Sequence, residues 1–201
     1  MIEASPYRFT ALRATAAIPL MLLLPQLRQL LESRMLLHMT VELPLLLLSG
    51  VVASSLASNR SRLGRLYDEL DVHGLLGAAL VAGMSLFWML PVSLDVSLLS
   101  TPLRLAKYAG WWIAGLALWR TWPRLDDESL VFFAGNMSWM LATAGLLYQA
   151  SDARLCVNYL LDDQLMAGRA LVFAAVLLGI WAIVRLVRAH AGATSGSPRQ
   201  L

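Results

Sequence analysis

The sequence predicts an all-α protein, a polytopic transmembrane helical bundle of about six spans, and three observations lead to that prediction. Hydrophobic residues make up 58% of the chain, and the mean hydropathy is +0.63. Charged residues make up only 14%, whereas a soluble domain usually has about a quarter. The apolar residues also occur in runs of about 20, the length of a helix that crosses the hydrocarbon core of a bilayer.

The apolar runs define five predicted spans and one shorter candidate. The five spans cover residues 35–57, 74–93, 102–122, 130–150 and 165–187. The candidate, residues 14–27, precedes them and contains Pro19 and Pro25. Prolines are tolerated in membrane helices when neighbours satisfy the freed carbonyls. We therefore predict six spans, or five if residues 14–27 lie in the interface or re-enter the membrane.

The basic residues predict the orientation, because cytoplasmic loops carry the excess of lysine and arginine. With six spans, the larger set falls on one side: Arg8, Arg13, Arg60, Arg62, Arg65, Arg120, Arg124, Arg185, Arg188 and Arg199. The smaller set falls on the other side: Arg28, Arg34, Arg104, Lys107, Arg154 and Arg169. The first side is predicted to be cytoplasmic, with the C-terminus on it. Residues 1–188 then form one transmembrane domain, and residues 189–201 form a flexible polar tail.

Composition and motifs argue against several classes of function. Loop arginines that set topology explain much of the net charge of +3, so the predicted partner is the lipid bilayer and not a nucleic acid. The single cysteine, Cys156, permits no internal disulfide. The sequence has no P-loop, no G-x-G-x-x-G after a strand, no H-E-x-x-H and no nucleophile elbow. The chain is therefore not predicted to be an enzyme.

One face of the 35–57 span carries a cation, a histidine, two thioethers and a carboxylate. Within residues 33–50, these side chains recur three and four positions apart, and so share a helix face: Arg34, Met35, His38, Met39 and Glu42. Thioethers and imidazole suit cuprous copper, but methionine is more often an ordinary lipid-facing or packing residue, and one histidine near a membrane interface is more often a polar anchor. Glu42 is either a packing hydrogen-bond acceptor or a residue for transport or ligation.

Four segments with distinctive spacing follow one another along residues 33–187. The first is Arg34 to Met39, followed by Pro44 and a leucine run that ends at Gly50; the second is Trp88, Met89, Leu90 and Pro91, with Asp95 after them. The third contains Pro102, Leu103, Arg104, Lys107 and Tyr108, with Gly115 and Trp119 beyond, and the fourth contains Asp163, Gln164, Ala167 and Gly168. In this order they resemble the motifs of the CtaG family of cytochrome c oxidase assembly factors, bacterial membrane proteins associated with copper delivery.

The resemblance implies copper, as Cu(I), and a metal site formed by Met35, His38, Met39 and Met89. It also shows departures from the family: histidines of the family are replaced by Arg34, Met89, Arg104 and Tyr108, and an acidic residue is replaced by Lys107. Basic side chains repel a metal cation. The scaffold of the family is therefore expected here, with much of its metal site changed.

Two hypotheses follow from the resemblance. The first is a copper-delivery factor with a reduced site and with Glu42 or Asp95 nearby. The second is a scaffold-only relative, an accessory or structural subunit that packs against cytochrome c oxidase or another membrane redox complex, binds no metal and pairs Arg34 with a carboxylate. A small transporter is a third interpretation, and it rests only on Glu42 and the charges on the same side.

Asp163 and Gln164, which begin the last span, are predicted to act structurally. Asp163 is expected to cap the first turn of that helix by accepting backbone N–H bonds, and to complement the helix dipole.

Overall fold

The computed structural model describes residues 14, 17–22, 24–57, 62–71 and 73–195, without the side chains of residues 62, 63 and 192–195. All regular secondary structure in these residues is helical. The prediction of an all-α protein is therefore confirmed for the described part of the chain.

The helices follow one another with short connections. Residues 17–22 are helical, and the labelled helices are α1 (Pro25–Glu32), α2 (Met35–Leu56), α3 (Arg62–Leu70), α4 (Leu76–Trp88), α5 (Pro91–Leu99), α6 (Thr101–Thr121), α7 (Asp127–Ala150) and α8 (Leu161–Ser195). A 3-10 turn over Trp122–Arg124 joins α6 to α7. Asp126 caps α7, because its side chain accepts a hydrogen bond from the backbone N–H of Ser129 at 2.6 Å.

Three helices are long and apolar enough to cross a membrane: Met35–Leu56, Asp127–Ala150 and Leu161–Ala191. These helices correspond to three of the predicted spans. The helices α4 and α5 could together supply a fourth span, although they meet at a bend of 79°. Pro91 explains the bend, because proline has no backbone N–H and disfavours a helical residue before it.

Two other predicted spans differ from simple membrane helices. The run over residues 102–122 does form α6, but α6 carries Arg104, Lys107 and Arg120 and is not among the candidate spans. The predicted first span, residues 14–27, lies partly outside the described residues, and a new helix begins within it at Pro25. The last helix continues to Ser195, so residues 189–195 of the predicted tail are helical, and residues 196–201 lie outside the described part.

The helices pack as two groups around α6 and α8. Helix α6 contacts α2 on one side and α4 on another, and α7 runs antiparallel to α8. Glycines set the two closest approaches: Gly50 of α2 meets Gly115 of α6, and Gly145 of α7 meets Gly168 of α8. Small residues of this kind let helix backbones approach closely in membranes.

Ion pairs and hydrogen bonds fix α3 to the C-terminal end of α6. Asp68 pairs with Arg120 at 2.7 Å and with Arg124 at 2.9 Å. The Tyr67 hydroxyl lies 2.7 Å from Thr121 Oγ1, which donates to Asp71 at 2.6 Å. This polar contact lies at the opposite end of α6 from Lys107.

Candidate functional site

The N-terminal part of α2 contains a π-helical segment, His38–Glu42, within an otherwise α-helical span. Segments of this kind often occur at functional sites, because they re-aim side chains. Here the two ends of the segment, His38 and Glu42, both turn toward α6, and both are fully buried. The sequence predicted that His38 and Glu42 share a helix face, and in the structure both side chains lie against α6.

Lys107 of α6 lies between them. Its Nζ is 2.9 Å from His38 Nε2, 3.0 Å from Glu42 Oε1 and 3.4 Å from Glu32 Oε1 at the end of α1. Lys107 is fully buried, as are His38 and Glu42, whereas the Glu32 side chain is 10% exposed. We call these four residues the charge cluster.

The contacts of His38 fix its protonation and tautomer. A lysine ammonium only donates hydrogen bonds, so Nε2 of His38 accepts from Lys107. The proton of the neutral ring is then on Nδ1, which lies 2.7 Å from the Tyr159 hydroxyl and donates to it. Both ring nitrogens are therefore engaged by protein groups.

The carboxylates of the charge cluster have different surroundings. The contact between Glu42 and Lys107 is an ion pair without the alignment of a directed hydrogen bond. Glu32 also faces Arg28 at 3.5 Å and Arg104 at 3.9 Å. Partial burial raises the pKa of Glu32 above its usual range, and the nearby Lys107 opposes that rise. Each carboxylate is thus balanced by a cation, as buried charges require.

The loop over residues 151–160 carries Tyr159 to His38, and two residues predicted from the sequence hold that loop. Asp95 accepts hydrogen bonds from the backbone N–H of Val157 at 2.8 Å and from the side chain of Asn158 at 3.1 Å. Gln164 accepts from Leu155 N at 2.8 Å and donates to Tyr148 O at 3.1 Å. Gln164 of α8 thus links the loop to the end of α7.

Asp163 caps a helix, but a different one from the helix predicted. Its carboxylate accepts a hydrogen bond from the backbone N–H of Met35, the first residue of α2. Asp163 sits inside the first turn of α8, beside the unpaired N–H groups at the start of α2. It complements the dipole of α8 while capping α2.

Arg34 precedes α2, and the carboxylate partner that the scaffold-only hypothesis expects for it is not found among the described residues. Its side chain lines a pocket of about 330 Å³ beside Asp162 and Asp163. In the described part of the chain, neither these nor other carboxylates form an ion pair with it. The ion pair expected for Arg34 therefore stays a prediction.

The methionines of the predicted metal site lie in an apolar cluster that adjoins His38 through Tyr159. Met35 and Met39 are buried, and Met89 is partly buried, in an apolar cluster that also contains Cys156. The structure thus separates the predicted set into thioethers among apolar side chains and His38 against Lys107. Among the described residues, no three His, Cys, Asp or Glu side chains are arranged to hold a metal ion.

Neither Glu32 nor Tyr159 stands out in the sequence, and Lys107 stands out there as a basic residue of the non-cytoplasmic set and as a departure from the family pattern. One signal pointed to Lys107: it is the only lysine of the chain, since every other basic residue except histidine is arginine. Arginines that set topology occur at many positions, whereas a single lysine lies inside an apolar helix. Glu32 and Tyr159 carried no comparable signal, because their importance comes from contacts across the fold.

Cys156 should react with iodoacetamide at pH 8 about 1,000-fold more slowly in the folded protein than in the unfolded chain. Burial, with a smaller contribution from Asp95, raises the pKa of its thiol from 9.0 to about 12, and only the thiolate is nucleophilic. The folded protein holds the thiol proton more tightly than the unfolded chain does. The contribution of this difference to the free energy of unfolding is complete below pH 9 and is lost as the pH rises toward 12.

The control for this labelling is a Ser33→Cys, Cys156→Ser variant, whose new thiol is at an exposed position. It should react at the rate of the unfolded chain. Equal rates for wild type in buffer and in denaturant would contradict the buried position of Cys156.

Comparison with known proteins gives no match to a protein-family model, a curated protein or a solved structure.

Proposed function

We propose that this protein is a metal-independent scaffold, an accessory or structural subunit of a membrane redox complex. The observation that carries the proposal is the position of Lys107 Nζ, 2.9 Å from His38 Nε2. In the family that the sequence resembles, the corresponding motifs serve copper delivery to cytochrome c oxidase. Here a side chain of the protein itself occupies the place beside the one histidine of those motifs.

His38 does not fit a cuprous ion in this arrangement. A metal ligand must present a free imidazole nitrogen, but Lys107 and Tyr159 use both nitrogens. A second cation beside the ammonium would also be repelled in a site that water does not reach. No catalytic step is therefore assigned to copper, and no enzyme activity is proposed.

The proposed topology has six spans, with the C-terminus in the cytoplasm of a bacterial cell. Support for counting α6 as a span comes from the placement of its charges, since Lys107 is paired inside the protein and Arg120 is paired near the opposite end. Polar residues within membrane spans usually face the protein interior and pair there. Support for a membrane partner comes from α7 and α8, because only 17% of each span is buried in the chain itself.

A second candidate function is copper delivery through thioethers without His38. The observation that favours it is the common apolar cluster of Met35, Met39 and Met89, because thioether ligands select Cu(I). This candidate keeps three of the four predicted ligands and leaves out His38.

Anaerobic titration with cuprous ion separates the two candidates. The proteins compared are wild type, His38→Ala, and a variant with leucine at positions 35, 39 and 89. We expect wild type to bind less than about 0.1 equivalent of copper above a detergent blank. One equivalent bound by wild type and lost in the leucine variant would establish the second candidate.

Purification from the host membrane in lipid nanodiscs tests the partner. The proposal expects a haem absorbance difference between reduced and oxidised samples, at a fixed ratio of haem to protein. A Trp139→Arg variant should lose the haem, because Trp139 is 73% exposed on the face of α7 that the proposal assigns to a partner or to lipid. Wild-type protein that is folded but free of haem would contradict a redox partner.

A further inference from the structure

We propose that Glu32, His38 and Glu42 form a binding site for a primary ammonium ion, and that Lys107 supplies the resident ion through its own side chain. This inference rests on the proposed metal-independent function. It goes further because it assigns the site a ligand chemistry, that of a primary ammonium ion, and gives the single lysine of the chain a role.

The distances around Nζ favour an ammonium ion over a metal ion. Nζ lies at hydrogen-bond distance from His38 Nε2, at 2.9 Å, and from Glu32 Oε1, at 3.4 Å, and it forms an ion pair with Glu42 Oε1 at 3.0 Å. Hydrogen bonds from a nitrogen donor have lengths close to 3 Å, whereas zinc bonds to nitrogen and oxygen ligands have lengths of about 2.0–2.2 Å. The distances around Nζ therefore suit a cation with N–H donors and are too long for bonds from a metal ion at the same position.

The number and type of neighbours also match. An ammonium has three N–H donors, and the site offers one imidazole nitrogen and the Glu32 carboxylate as hydrogen-bond acceptors, with the Glu42 carboxylate as an ion-pair partner. The ring of Tyr108 adds an aromatic wall, with its centroid 5.0 Å from Nζ, and aromatic faces attract ammonium ions. A guanidinium would not replace Lys107, because its planar donors cannot converge on three acceptors around one point.

Charge and burial hold the ion in place. Two carboxylates face it, His38 is neutral, and Arg28 and Arg104 face only the outer carboxylate, Glu32. Glu32 is the one acceptor with some exposure, at 10%. The site is therefore closed toward α2 and α6, and it is nearest to solvent at the end of α1.

Chemical rescue tests the site. Lys107→Ala removes the stem from Cγ to Nζ, and propylammonium has the same three carbons and the same ammonium. We expect propylammonium to raise the melting temperature of Lys107→Ala by about 5 °C at saturation, followed by tryptophan fluorescence. Tetramethylammonium, which has no N–H donor, and potassium should have no saturable effect.

Lys107→Met is the matched control, because its uncharged side chain fills the space that propylammonium would enter. Propylammonium should leave its melting temperature unchanged, as it should in wild type. If Lys107→Ala folds only when extracted with propylammonium, the site is supported. If no ammonium ion restores its fold, while Lys107→Met folds, the inference is wrong.

Two further outcomes would overturn the inference. Equal stabilisation by tetramethylammonium would show a general salt effect. Stabilisation by zinc or cuprous ion, and not by propylammonium, would show a metal site from which Lys107 excludes the metal. Because the copper titration of the proposed function uses wild type, either proposal can fail while the other stands.

A measurement on wild type complements the rescue. Since Lys107 is the only lysine, protein labelled with 15N-lysine has a single side-chain Nζ signal. We expect its N–H protons to exchange with water at least about 10-fold more slowly than those of an exposed lysine. Fast exchange in folded protein would contradict a closed ammonium site.

Discussion

Replacing Lys107 with methionine should lower the free energy of unfolding by about 3–5 kcal/mol. The substitution keeps most of the side-chain volume but removes the charge, so Glu42 is left fully buried beside a neutral histidine. The loss comes mainly from this unpaired carboxylate, because breaking a buried pair costs far more than the pair contributes. The measurement is reversible unfolding in mixed micelles, with helicity followed by circular dichroism.

Two controls separate the buried carboxylate from other causes. A Lys107→Met, Glu42→Gln double variant should recover at least half of the loss, since it removes the unpaired charge as well. Arg185→Met breaks a pair with Asp127 that is 2.8 Å long but about half exposed, and it should cost no more than about 1 kcal/mol. Equal losses from Lys107→Met and Arg185→Met would show that the charge cluster is not buried.

Replacing Gly115 with alanine should destabilise the protein by about 1–3 kcal/mol or more. A Cβ at this position would lie 2.1 Å from the carbonyl oxygen of Leu47 and 3.0 Å from the Cα of Gly50. Both are backbone atoms, so α2 and α6 must separate to make room. The same separation would also pull Lys107 away from Glu42, because each lies about two turns from its glycine on parallel helices.

Gly83→Ala is the matched control. Gly83 is also within a helix, α4, but a Cβ there would meet no described atom within 4 Å. This variant should be neutral or more stable by up to about 1 kcal/mol, because alanine is the better helix former. If the two alanine variants had equal melting temperatures, the close contact between α2 and α6 would be contradicted.

The helices and most of their limits could be predicted from the sequence. Residues 35–57, 130–150 and 165–187 correspond to α2, α7 and α8, because long apolar runs need no information from the rest of the chain. The bend at Pro91 was missed, since an apolar run does not show where a proline will redirect the backbone. Helix α6 was also predicted to be a span. Its charged residues lower its hydropathy, so it is not among the helices apolar enough to cross a membrane.

The candidate site could be predicted only in part. The spacing in α2 pointed to His38 and Glu42, and both belong to the charge cluster. It also pointed to Met35 and Met39, which pack in a different cluster. The spacing of a regular α-helix would place these side chains on one face. The π-helical segment changes the directions of neighbouring side chains, so the spacing alone does not predict that they divide between two clusters.

The sequence by itself determined that this protein is helical, apolar enough for a membrane, and supplied with one cysteine and one lysine. Those properties depend on composition and on runs of adjacent residues. Only the tertiary structure decided that the Lys107 side chain lies beside His38, where a metal ligand would need an open position. The charge cluster joins α1, α2 and α6, and Tyr159 reaches it from a fourth segment. Contacts between segments so far apart depend on how close the glycine-lined helices approach, and no spacing within one helix encodes that distance.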